Sequence, residues 1–175
     1  NALNAELVAE LDRAAEALAA DSSVKSVVIT GEGKTFVAGA DIGLIGSART
    51  QEEAADLARG LQIIVGKIEA SEKPVVMAIN GQALGGGLEL AMAGHYRIAA
   101  GAAELGLPEV GLGILPAGGG TQRLPRLAGL TQALTMMNSA KILDAPGALR
   151  QGIIDELASP AGLLERAQAK ARESG

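Results

Sequence analysis

Apolar residues recur at helical spacing near the start of the chain. Leu7, Val8, Leu11, Ala14, Ala15 and Leu18 fall on one face over residues 4–20, and Asn4 stands where an N-cap belongs. The pattern then changes. The β-branched stretch Val24–Thr30 predicts a strand, Gly31-Glu32-Gly33-Lys34 a turn, and Thr35–Asp41 a short extended piece leading into a glycine-bearing loop. Helical spacing returns over residues 51–70 through Ala54, Leu57, Leu61, Ile64, Val65 and Ile68. Pro74–Ile79 is a continuous apolar strand closed by the turn Asn80-Gly81. Gly87 to about Ala93 predicts a short buried helix, and Tyr96–Ala99 another strand. Residues 104–120 read as loop, with helices expected at about 121–138, 146–151 and 160–173. Helices alternate with short strands and no fixed-period repeat is visible. The class is α/β, in one unit spanning residues 1–175.

Composition narrows the chemistry. Hydrophobic residues make up 48% of the 175 and charged residues 20%, which fits a globular chain with a core. The net charge of −5 argues against nucleic acid or an anionic membrane as partner. Phe36 and Tyr96 are the only aromatics, so no platform exists for stacking bases or sugars. Without cysteine there is no disulfide or thiolate chemistry, and a single histidine, His95, cannot anchor a metal site alone. No metal is therefore expected. Apolar runs stop well short of the roughly 20 residues a membrane helix needs, and no signal segment opens the chain. A cytoplasmic or, in a eukaryote, organellar location is expected. The chain opens at Asn1 rather than methionine, so its front reads as trimmed.

The chemistry gathers around Ala83-Leu84-Gly85-Gly86-Gly87-Leu88-Glu89-Leu90-Ala91. Successive amides leading into a helix make a positive pocket, because the first turn has no intrahelical acceptors. Gly86 or Gly87 could aim an N–H at a developing oxyanion; the bland alternative is tight strand-to-helix packing. No Gly-Lys-Ser/Thr follows, which excludes a P-loop. Glu89 is a carboxylate inside an apolar run, where a charge is costly unless used or paired. A first-turn acid favouring the helix dipole is the plainer reading. Glu109 follows Pro108 in a loop and alone would be a solvated charge. Two carboxylates converging on one site could hold a water and transfer a proton. Ala38-Gly39-Ala40-Asp41 makes a second small-residue loop, either a turn with an Asp cap or a second backbone donor.

Taken in order, these segments resemble the enoyl-CoA hydratase/isomerase (crotonase) superfamily. The matching pieces are Asn1-Ala2-Leu3, Phe36 through Ile42, Ala78 through Ala91, Gly106 through Pro116, Gly120-Thr121-Gln122-Arg123-Leu124, Ala148-Leu149 and Gly152 through Asp155. Leu107-Pro108-Glu109-Val110 and His95-Tyr96-Arg97-Ile98 look most like the hydratase part of bifunctional hydratase/3-hydroxyacyl-CoA dehydrogenases.

The resemblance implies a spiral of β-β-α units and an acyl-CoA thioester whose carbonyl is held by the amides of Ala40 and Gly86. It implies hydration of a 2-trans-enoyl-CoA, with Glu89 deprotonating the water and Glu109 delivering a proton to the α-carbon. Ala38, Asp41, Ile42, Gly85, Gly87, Pro108, Ala117 and Gly118 would line the substrate path. No cofactor is expected beyond the coenzyme A of the substrate. A homotrimer, or a place in a larger multifunctional polypeptide, is compatible with the family. A Δ3,Δ2-enoyl-CoA isomerase and a non-catalytic acyl-CoA-binding remnant are the alternatives. Against the family pattern, the strand before Asn1 and the helical region after Gly175 are not in the sequence. Ala117 stands where glycine is usual, at a cost of about 1 kcal/mol if that backbone has positive φ. Asn138-Ser139-Ala140 replaces a common Thr/Ser-Gly turn.

Overall fold

The computed structural model describes residues 1–40 and 42–175, without the side chains of Ile42, Leu44 and Ile45. Two four-stranded sheets organise the chain. Strands β1 (Val27–Thr30), β3 (Val75–Ile79), β5 (Tyr96–Ala100) and β8 (Glu156–Ala158) form the first, in that order and all parallel. Strands β2 (Thr35–Val37), β4 (Gln82–Leu84) and β6 (Glu104–Gly106) run parallel in the second, and β7 (Ile142–Asp144) pairs antiparallel on β6. The pairs β1/β2, β3/β4 and β5/β6 thus each send one member to each sheet before the chain turns helical, which makes the β-β-α spiral.

The corners between the sheets are sterically fixed. A Cβ on Gly31 would lie 2.1 Å from the Thr35 carbonyl oxygen, and one on Gly81 1.9 Å from that of Lys34. Asn80 ties the two corners together. Its Oδ1 accepts from the Gly31 amide at 3.1 Å and its Nδ2 donates to the Gly33 carbonyl at 2.9 Å. The unbroken apolar run of β3 follows from burial on both faces. Val75, Met77 and Ile79 join the main core, while Val76 and Ala78 pack with Leu163, Ala167 and Ala171 of helix α8 (Leu163–Ser174).

The early helices keep their expected places. Helix α1 spans Ala5–Ala20, and the Asn4 side chain accepts from the Leu7 amide at 2.8 Å. After α2 (Ile42–Ser47), helix α3 spans Gln51–Glu69 and is capped by Thr50. Helix α4 spans Gly86–Met92 and α7 Ala145–Arg150. Residues 121–138 are two helices, α5 (Gly120–Ala128) and α6 (Leu130–Ser139), broken where Gly129 takes φ 79°. The expected loop 104–120 holds β6 and a single 3-10 turn, Glu109–Leu112.

Ala117 does not take the positive φ that would have made alanine costly there. Among the described residues only one non-glycine has positive φ, and it is Ala140, at φ 53° and ψ 28°, where α6 ends. The left-handed region crowds Cβ against the backbone, so glycine belongs there. Ala140→Gly is expected to raise the unfolding free energy by about 1 kcal/mol. Thermal denaturation should show this as a Tm rise of about 2–4 °C.

Candidate active site

Helix α4 starts at the glycine triplet, and each glycine has a different task. Gly85, at φ 52°, turns the chain out of β4, and its missing Cβ leaves room for Glu109, whose Oε1 would lie 3.0 Å from that atom. Gly86 opens the helix. A Cβ there would lie 3.0 Å from Leu3 Cδ1 and 3.3 Å from Leu61 Cδ2, with the Ala40 amide nitrogen at 3.7 Å. The Ala40 and Gly86 amides therefore neighbour one another, and neither donates to a backbone acceptor among the described residues. Gly87 faces away: its Cβ would lie 2.0 Å from the Val37 carbonyl oxygen, so this position serves helix-strand contact.

Glu89 is the fourth residue of α4 and only 2% exposed. Its Oε1 accepts from the Gly120 amide at 2.7 Å. Burial pushes its pKa up, while the amides of Gly120, Gly118 and Gly119 and the charge of Arg123 pull it part of the way back. Glu109 opens the 3-10 turn, is 8% exposed, and keeps Oε2 buried without a hydrogen-bond partner. Burial, reinforced by the nearby Glu89 charge, pushes Glu109 up to about 7. Glu89 is thus held by amides of the Gly118–Gly120 segment while Glu109 has only its own backbone amide, which separates their proton affinities.

Both acids lie on the wall of one cavity of ≈ 640 Å³, within the range of small-molecule sites. Ala38, Ala40, Gly85, Gly86, Pro108 and Ala117 share that wall. Gly118 faces a neighbouring pocket but touches Glu89, since a Cβ on it would lie 2.8 Å from Oε2. Gly87, also expected on the substrate path, is not on this cavity's wall and packs against Val37. Asp41 and the side chain of Ile42 lie outside the described residues. Three contributors went unread in the sequence: Leu3, Leu61 and the Gly120 amide. A second glycine run, Gly118-Gly119-Gly120, was the available signal for that amide.

No lysine or arginine lines the cavity among the described residues. Its inner end therefore suits an uncharged group whose oxygen meets two amides and whose carbons face two acids. Among the described residues no cluster of acids and histidines could hold a metal ion, and no helix is long and apolar enough to cross a membrane.

Comparison with known proteins identifies the family. The profile of the enoyl-CoA hydratase/isomerase family matches residues 1–174. The chain belongs to that family. It is 47% identical over 165 residues to a crotonyl-CoA hydratase of Syntrophomonas wolfei, covering 94% of this chain and 63% of that one. It is 44% identical over 170 residues to a fatty acid oxidation complex subunit alpha of Shewanella frigidimarina, covering 95% of this chain and 24% of the relative. A crystal structure of an enoyl-CoA hydratase from Bacillus anthracis superposes with a TM-score of 0.93 at 34% identity, covering 98% of this chain and 67% of that one. This family member thus spans about a quarter of the oxidation-complex subunit and about two thirds of the hydratases. The β-β-α spiral expected from the resemblance is the fold of the family.

Proposed function

We propose that this chain hydrates 2-trans-enoyl-CoA thioesters to 3-hydroxyacyl-CoA. The observation that carries the reading is the placement on one cavity wall of two buried carboxylates and two neighbouring amides that have no backbone acceptor among the described residues. The thioester oxygen accepts from the Ala40 and Gly86 amides, which stabilise it most when it becomes an enolate oxygen. A donor of this kind is worth on the order of 3 kcal/mol in the transition state. The α4 dipole adds to the Gly86 contribution.

Glu89, ionised and held by the Gly120 amide, orients a water and takes its proton as the oxygen bonds to C3. The C2–C3 π pair moves onto the thioester as the enolate. Glu109, protonated, gives its proton to C2, and the enolate collapses to the product thioester. The proton that Glu89 gained returns to Glu109 through solvent, so each turnover consumes one water and no other reactant. Coenzyme A arrives with the substrate, and the residues named require no resident cofactor. The reading is supported by the family and by the hydratases the chain resembles. The experiment that tests it is turnover of crotonyl-CoA by the purified protein, with the label pattern set out at the end of the Discussion.

A further inference from the structure

A second pocket, of ≈ 440 Å³, lies on the other side of the Ala117–Gly120 backbone from Glu89. Where the main cavity is apolar, this one is walled by Gln62, Thr121, Gln122 and Arg123. On the inner side of the shared backbone, the Gly120 amide donates to Glu89 and Gly118 touches its other oxygen. On the outer side, Gln62 Nε2 donates to the Ala117 carbonyl at 2.7 Å, and Arg123 Nη1 donates to the Gly118 carbonyl at 3.2 Å. Arg123 Nη2 is anchored on Glu69 of α3.

The guanidinium also fills a steric vacancy. Gly119 takes φ 107°, and a Cβ on it would lie 2.1 Å from Arg123 Nη1. The Gly119 carbonyl accepts from the Gln122 and Arg123 amides of α5, which leaves the Gly118 carbonyl ahead of it for a side chain to hold. Arg123 is placed to do so, with one edge on the loop and one on a fixed carboxylate. Its side chain is 12% exposed, and its Nε is buried without an acceptor among the described residues.

We propose that Arg123, anchored by Glu69, is a positioning residue for Glu89: it locks the Gly118–Gly120 backbone so that its amides meet the water-activating carboxylate. The proposal rests on the hydratase reading for its effect on rate, but not for its effect on the loop. Arg123 from α5 and Glu109 from the 3-10 turn are the charged groups that bear on Glu89, and Glu69 bears on Arg123. Losing Arg123 leaves Glu89 harder to ionise, in keeping with the part this charge takes in its proton affinity.

The test uses Arg123→Ala, Arg123→Lys and Glu69→Gln, with Arg126→Ala on the same helix as control. Kinetics with crotonyl-CoA should show kcat for Arg123→Ala lowered on the order of 10–100-fold, as for supporting partners of active groups elsewhere, with KM little changed. The acid limb of its pH profile should move to higher pH. Added guanidinium, entering the solvent-open pocket, should restore most of the rate, and Arg123→Lys should restore part of it. Independently of turnover, amide hydrogen exchange should lose protection at Gly118–Gly120 in Arg123→Ala and Glu69→Gln but not in Arg126→Ala. An unmoved acid limb with native exchange at the loop would overturn the proposal. A wild-type protein that turns over no enoyl-CoA would refute the hydratase reading and leave the exchange result to decide this one. If Arg123→Ala does not fold, Arg123→Lys and Glu69→Gln carry the same comparison.

Discussion

Glu109→Gln is expected to lower kcat for crotonyl-CoA hydration about 10³-fold, which is about 4 kcal/mol of transition-state stabilisation. The exchange keeps the shape of the side chain and removes the transferable proton. The wild-type group is suited to give that proton because burial and the Glu89 charge push it up to about 7. The sign follows directly. Glu109 must be protonated to act as the acid, so wild-type kcat falls as pH rises through about 7. Glu89 must be ionised to act as the base, and burial raises its pKa despite the donors at Gly118–Gly120, so activity also falls toward acid. The profile is a bell whose alkaline limb belongs to Glu109. In Glu109→Gln the residual activity should lose that limb. Steady-state rates across pH for both proteins check this. A variant within threefold of wild type, or one that keeps the alkaline limb, contradicts the assignment.

Gly87→Ala is expected to abolish the native fold. The added Cβ would lie 2.0 Å from the Val37 carbonyl oxygen, 2.8 Å from its carbonyl carbon and 2.9 Å from its Cβ. These atoms belong to β2, so relief requires α4 to separate from the second sheet. Overpacking of a core costs about 1–3 kcal/mol where side chains can adjust. A clash with backbone exceeds that and reaches a large share of the about 5–15 kcal/mol total. Gly86→Ala is the informative contrast, because its Cβ meets the tips of Leu3 and Leu61, which can move. That variant should fold and bind the thioester poorly. Circular dichroism melts separate the two. A Gly87→Ala protein that melts within a few degrees of wild type would show that the helix tolerates the shift.

The triplet illustrates what can be read before a structure exists. Glycine at 85, 86 and 87 announces close backbone approach, but sequence alone does not say what approaches. At Gly85 it is the Glu109 carboxylate, at Gly86 the tips of Leu3 and Leu61 with the Ala40 amide just beyond, and at Gly87 a strand carbonyl. The resemblance paired Gly86 with Ala40 and assigned both Gly85 and Gly87 to the substrate path. Helices α1 and α3 and strand β3 were legible because each carries enough residues for its period to show and ends on a cap or turn. Strands β4, β6, β7 and β8 were not, since each has three residues, too few for alternation to register. Ala140 shows the same limit from another side. The altered turn was visible in sequence, but positive φ is a property of chain path, and the sequence raised it only conditionally, at Ala117. Arg123 matched the family pattern without a role, because its partners Gly118 and Glu69 are joined to it only by the fold.

The central claim, that Glu89 and Glu109 add water across an enoyl thioester held by Ala40 and Gly86, is tested most directly by isotope incorporation. Crotonyl-CoA is incubated with the protein in deuterated, oxygen-18-enriched water, and the products are analysed by mass spectrometry and NMR. The account predicts 3-hydroxybutyryl-CoA carrying the solvent oxygen on C3 and a single deuterium on C2. Recovery of unlabelled crotonyl-CoA from a protein that binds it would contradict the account and leave a binding role. Deuterium incorporation without oxygen addition would point to isomerase-type proton transfer instead.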